Sequence, residues 1–134
     1  MPEIAFITYD QCLASSITLP MEMYRAATDA STAITRKKYA SPLLYGKKKR
    51  THCAGGVEII SHRHPKWIGQ VDLIVLPAIW RNPMTVVNDN RYLLAYLHRW
   101  NQANIKICAV GTSSFFLAES GLLNHRGATT HWSQ

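Results

Sequence analysis

No stretch of this chain comes near the roughly 18 to 20 consecutive apolar residues that a membrane-spanning helix needs. Its opening, MPEIAFITYD, has no basic region ahead of the apolar stretch, which argues against a secretory signal and makes the cytoplasm the expected location. Cysteine is scarce. Cys12, Cys53 and Cys108 show no C-x-x-C spacing and leave an odd one over, so a disulfide framework is not expected. Cys108 falls inside an apolar run, where a buried, inert thiol is expected. Acidic residues number eight against fifteen Lys and Arg, a net charge of +7 that is compatible with an acidic partner such as nucleic acid. Seven of those fifteen cations, however, sit in two clusters, Arg36-Lys37-Lys38 and Lys47-Lys48-Lys49-Arg50. The second lies between YG and THCAGG and reads as a solvated turn. No helix-turn-helix, zinc-finger or aromatic-basic signature accompanies it, so a direct nucleic-acid contact is the less favoured reading.

What is present is an ordinary globular composition. At 134 residues, 47% hydrophobic and 17% charged, the chain makes one domain with a real core. EIAFITY (residues 3–9) is a short apolar strand. TLPMEMYRAATDA carries Pro20 near a helix start, with Met23, Ala27 and Ala30 at helical spacing. KKYASPLLYG and GGVEIIS are short strand candidates on either side of the basic turn. VDLIVLPA is the continuous apolar run of a parallel strand covered on both faces. NDNRYLLAYLHRWNQAN is the clearest helix: Asn88 or Asp89 can cap it, and Leu93, Leu97 and Trp100 recur along one face.

IKICAV is the next buried strand. It runs into Gly111, a helix over 113–120 follows, and Gly121 stops that helix. RGATTHW then supplies a last short strand. Strands alternating with helices predict an α/β, doubly wound, flavodoxin-like three-layer sandwich with a mainly parallel sheet. The chain stops just past the strand near residues 126–131, where another helix is normally laid over the sheet. An incomplete domain, a piece of a longer polypeptide, is therefore the expectation.

These elements carry a resemblance. ICAVGTSSFFLAESGLLNHRGATTHW resembles the PfpI-like branch of the class I glutamine amidotransferase-like superfamily. More narrowly, it is similar to the amino-terminal domain of AraC-type, GlxA-like transcriptional regulators. The matching residues are Thr112, Leu117-Ala118-Glu119, Gly121-Leu122-Leu123 and Ala128-Thr129-Thr130-His131-Trp132, with Pro20, Glu22 and VDLIVLP upstream. The departures are informative. Gly111 stands where the family's turn has its cysteine, Ser16 where an aspartate is usual, and Leu19 where a glycine precedes the proline. Ala78-Ile79 replace two glycines whose N–H groups can stabilise an oxyanion.

The resemblance implies a reaction centre built from the turn cysteine and the glutamate that matches Glu22. Gly111 removes the sulfur, and Ser113 and Ser114 are expected to cap the following helix rather than to act as nucleophiles. What the resemblance leaves is a pocket in which Thr112 and the backbone of Gly111 to Ser113 hold a carboxylate. Glu22 would face a ligand amine, with Ala78 and Ile79 beside it. The expected function is an effector-sensing and dimerising regulatory domain, non-catalytic, binding a small-molecule effector and acting on DNA through a helix-turn-helix domain absent from this chain. The alternative is a PfpI-like hydrolase, amidase or isonitrile-hydratase-like enzyme with an unrecognised nucleophile. No metal or cofactor is expected: His62-x-His64 lacks a third ligand and reads as a surface loop. His131 reads as a packed or capping histidine, and Trp67, Trp80 and Trp100 as core or pocket-edge aromatics.

Overall fold

The computed structural model describes residues 2–130. In chain order its regular elements are β1 (Ile4–Thr8), α1 (Ser15–Thr35), β2 (Leu43–Gly46), β3 (Arg50–His52), β4 (Glu58–Ile60), β5 (Leu73–Leu76), α2 (Pro83–Asp89), α3 (Tyr92–Gln102), β6 (Lys106–Ala109) and α4 (Ser114–Ser120). Four strands form one parallel sheet in the order β2-β1-β5-β6, with Phe6 opposite both Leu44 and Val75, and Val75 opposite Cys108. α1 carries the chain from β1 toward one edge, while α2 and α3 carry it from β5 toward the other. Right-handed crossovers put helices that travel in opposite directions on opposite faces. α4 packs on both α2 and α3. The expected α/β flavodoxin-like architecture with a parallel sheet is the observed one.

Burial explains the strand sequences. β1 and β5 are the inner strands, and Phe6, Ile7, Ile74 and Leu76 lose essentially all contact with solvent. That is why IAFIT and LIVL are almost unbroken apolar runs. Among the described residues β6 pairs on one side only, and its residues alternate between exposed and half-buried. Cys108 points outward and is exposed, which corrects the expectation of a buried thiol. A run of apolar letters does not say how many faces of a strand are covered.

Four further expectations are revised. The seam of α1 is Ile17, Tyr24 and Thr28, whereas Met23 is 65% exposed and Ala27 and Ala30 face solvent. One residue of offset turns a helix by about 100°, and the larger side chains take the sheet side. Asn88 and Asp89 do not cap α3: they close a separate helix, α2, opened by Pro83, and Asn90 Nδ2 donates to Val86 O at 2.8 Å to finish it. The basic turn links β2 to β3, which pairs antiparallel with β4 in a ribbon of its own. Residues 126–130 form no strand and are exposed; Thr130 Oγ1 donates to Gly111 O at 3.4 Å. Arg-Gly-Ala-Thr-Thr has too little apolar surface to bury in exchange for the entropy of pairing with an edge. His131 and Trp132, the end of that motif, lie outside the described residues.

Candidate functional site

The strand–turn–helix read from the sequence is present. β6 leads into a single 3₁₀ turn, Gly111–Ser113, with Gly111 at φ 53°, and α4 ends on Gly121 at φ 83°, the left-handed cap expected there. Among the described residues, a Cβ built on Gly111 meets only the Ala78 Cβ, at 3.9 Å, so they leave space at the turn for a side chain that the sequence does not supply.

The groups around this turn are already bonded to one another. Ala78 N–H donates to Ser16 Oγ at 2.9 Å, and that hydroxyl donates to Leu13 O at 2.7 Å. Ile79 N–H donates to Thr112 Oγ1 at 2.9 Å, and the Thr112 hydroxyl donates back to Ile79 O at 2.7 Å. Both N–H groups read as oxyanion donors therefore have partners inside the protein. Ser113 is fully buried; its hydroxyl donates to Leu76 O and Val110 O, and it makes no side-chain cap on α4, contrary to expectation. These bonds pin the turn to the end of β5. Glu22 lies six residues beyond Ser16 on α1. Its side chain is exposed and, among the described residues, makes no hydrogen bond or ion pair.

A sizeable cavity lies elsewhere at the same end of the sheet. Strand order reverses between β1 and β5; the segments that follow them stay bonded to each other, Leu13 N–H to Ala78 O at 2.8 Å and Trp80 N–H to Gln11 O at 3.0 Å, and a crevice of about 600 Å³ lies beside them. Such a reversal is where open α/β sheets characteristically bind ligands. Thr8 and Thr51, both buried, lie at its base, tied by Thr51 Oγ1 donating to Thr8 Oγ1 at 3.0 Å and by a 2.8 Å bond between Thr8 and Ser61. Asp10 and Gln11 follow β1, Lys47 and Lys48 follow β2, and Trp80, Arg81 and Asn82 follow β5. α2 adds Asp89.

Burial alone would push the Asp10 carboxyl up, but the Lys48 ammonium and the His52 N–H, 2.9 Å from Oδ1, outweigh it and hold the carboxyl below its ordinary value. The Lys47 ammonium lies over the Tyr92 ring at 5.4 Å, and the Arg81 guanidinium over the Trp80 indole at 5.3 Å. None of the residues expected to bind ligand lines this crevice. The signal that would have found it was positional: these are the residues immediately past the strands on either side of the reversal.

Other candidate groups serve the fold. Cys12 and Cys53 are buried with their sulfurs 3.6 Å apart; burial, then the neighbouring Cys53, pushes the Cys12 thiol up to about 12. A thiol so protonated at neutral pH is a poor nucleophile. His62 Nδ1 accepts from Leu44 N–H and His64 Nδ1 from Lys66 N–H, so each imidazole already braces its loop. Trp100 is in the core, Trp80 stands at the rim of the crevice, and Trp67 is exposed.

No protein-family model matches this sequence, and no curated protein matches it. Solved structures do. An AraC family transcriptional regulator from Pseudomonas putida superposes with a TM-score of 0.73 at 18% identity, covering 100% of this chain and 69% of that one. DJ-1 from Toxoplasma gondii, in its oxidised form, gives 0.76 at 15% identity, over 98% and 67%. A ThiJ/PfpI domain protein from Brachyspira murdochii gives 0.75 at 9% identity, over 98% and 70%. The chain thus shares the fold of DJ-1 and ThiJ/PfpI proteins and of AraC-type regulators that carry it, and spans about two thirds of their length.

Proposed function

We propose that this chain is the effector-sensing module of an AraC-type transcriptional regulator and that it catalyses no reaction. One observation carries the reading. The position a nucleophile would occupy is Gly111, and the Ala78 and Ile79 N–H groups beside it donate to Ser16 and Thr112 rather than into open space. Acyl-transfer chemistry on a thiol needs the sulfur, a proton partner and donors aimed at the developing charge. Two of those three requirements go unmet.

In this reading Ala78, Ile79, Thr112 and Ser113 preserve the shape of a former reaction centre. The likeness in fold to an AraC family regulator supports the functional class. DNA contact then belongs to a helix-turn-helix domain outside this chain, in a homodimer. An effector changes promoter occupancy only by preferring one arrangement of that dimer.

The competing reading, a PfpI-like hydrolase, amidase or isonitrile hydratase, draws on the likeness to DJ-1 and the ThiJ/PfpI protein. Two measurements on the same preparation separate them. Activated esters and isonitriles are incubated with the protein, and its melting is followed across a panel of amino acids and small metabolites. We expect no consumption of substrate, and a saturable rise in melting temperature with at least one compound. A ligand at a hundred times its Kd adds about 2.7 kcal/mol. Turnover that saturates, and that is abolished by changing a single residue, overturns the proposal.

A further inference from the structure

We infer that the crevice at the strand reversal, and not the turn at Gly111, is the effector seat, and that it takes a small hydrophilic metabolite bearing two negative charges, as a phosphate or as two carboxylates. This rests on the sensing role proposed above and adds the place and the chemistry. The polar groups of the Gly111 turn that face Ala78 and Ile79 are consumed by internal hydrogen bonds. The crevice differs in size and in charge. Its volume, about 600 Å³, lies in the range of small-molecule sites, roughly 300 to 1,000 Å³.

Charge decides the ligand class. Five ionisable side chains of Asp, Lys and Arg line the crevice: Asp10, Lys47, Lys48, Arg81 and Asp89. Asp10 and Lys48 neutralise each other in an ion pair. Lys47 and Arg81 enter no ion pair among the described residues; each rests against an aromatic ring that keeps its head group positioned without cancelling its charge. They come from different loops, after β2 and after β5, so they approach a bound molecule from two sides. Lys47 and Arg81 call for two negative charges, while Asp89, also without an ion pair among the described residues, brings the sum over the five groups to +1 and calls for a donor or a cationic group on the body of the same ligand. Asp89, with the amides of Gln11 and Asn82, offers acceptors and donors to a hydroxylated or aminated body. A neutral apolar ligand would leave all of these groups desolvated and unpaired, which disfavours it.

The test is calorimetric titration of the intact chain at constant ionic strength with inorganic phosphate, glucose 6-phosphate, a nucleoside monophosphate and succinate. Glucose and putrescine serve as the neutral and cationic controls. We expect saturable binding of at least one dianion, with the phosphate and dicarboxylate arms showing which source of charge is preferred, and none of the controls. Lys47→Gln and Arg81→Gln should each weaken that binding about tenfold or more. Lys49→Gln, on the same basic turn but outside the crevice lining, should leave it within about twofold. Circular dichroism confirms that the variants, all at surface side chains, remain folded.

Equal weakening by all three variants would mean diffuse attraction to a basic surface and overturns the inference. So does a dianion whose affinity ignores Lys47 and Arg81, although the sensing role would then survive with a seat elsewhere. Binding of no compound in this panel and in the wider metabolite panel removes both.

Discussion

Gly111→Cys supplies the thiol that, in the reading proposed above, is missing from the turn, and the structure says what it should and should not do there. Among the described residues a Cβ at this position meets nothing nearer than the Ala78 Cβ at 3.9 Å, so they impose no steric cost on the substitution. The cost is conformational. Gly111 sits at φ 53°, where an L-residue is less stable by about 1 to 2 kcal/mol. With an unfolding entropy of about 2.1 cal/mol/K per residue, the 134-residue chain loses about 3.5 °C of melting temperature per kcal/mol. A fall of about 4 to 7 °C is expected by calorimetry.

The new thiol lies on an exposed turn, so a chromogenic disulfide should label two thiols per native chain instead of one. In the parent protein the labelled thiol is Cys108, while Cys12 and Cys53 react only after denaturation. Activity should not follow. The Ala78 and Ile79 N–H groups stay bonded to Ser16 and Thr112, and each missing oxyanion donor costs about a hundredfold to a thousandfold in rate. Ester cleavage should therefore stay at the level of free cysteine at equal concentration. Saturable turnover in Gly111→Cys would show that those donors are available and refute the argument. A stability loss beyond about 3 kcal/mol would refute the described turn.

Three more outcomes follow from the same contacts. Thr112→Val keeps the shape but strips the buried Ile79 N–H and carbonyl of their partner; urea unfolding should show a loss of about 2 to 3 kcal/mol at unchanged slope. Gly46→Ala drives a methyl into the Thr8 and Ser61 hydroxyls, which are bonded to each other at 2.8 Å. We expect a loss of about 2 to 4 kcal/mol, and a change under about 1 kcal/mol would mean the hydroxyl cluster is not packed as described.

Asp10→Asn should destabilise the protein at neutral pH. Because the folded-state carboxyl titrates below its ordinary value, the stability it contributes is present above that value and is lost as pH falls through the folded one. The difference between parent and variant should therefore shrink below about pH 4 and vanish at lower pH. A difference independent of pH would show that the ionised carboxylate is not what Lys48 and His52 stabilise.

The sequence by itself determined the layered α/β class, because burial on two faces leaves unbroken apolar strands such as IAFIT and LIVL, while one-face burial leaves the spacing of Leu93, Leu97 and Trp100. It determined, too, that residue 111 has no nucleophile, since side-chain chemistry is written in the letters alone. Tertiary structure decided which faces are covered: one face of β6, with Cys108 on it, is left open among the described residues, while Cys12 and Cys53 meet in the interior. It decided that α1 turns Tyr24 and Thr28 inward in place of Met23 and Ala27, a matter of where the helix docks rather than of its period. Above all it decided where space remains. Ser16 and Thr112, read as a departure from the family's aspartate and as a ligand contact, became partners of the Ala78 and Ile79 backbone. Asp10, Lys47 and Arg81, far apart in the chain and unremarked as a set, converge on one crevice. A hydrogen bond or a cavity depends on distances between groups remote in sequence, and no local pattern encodes those distances.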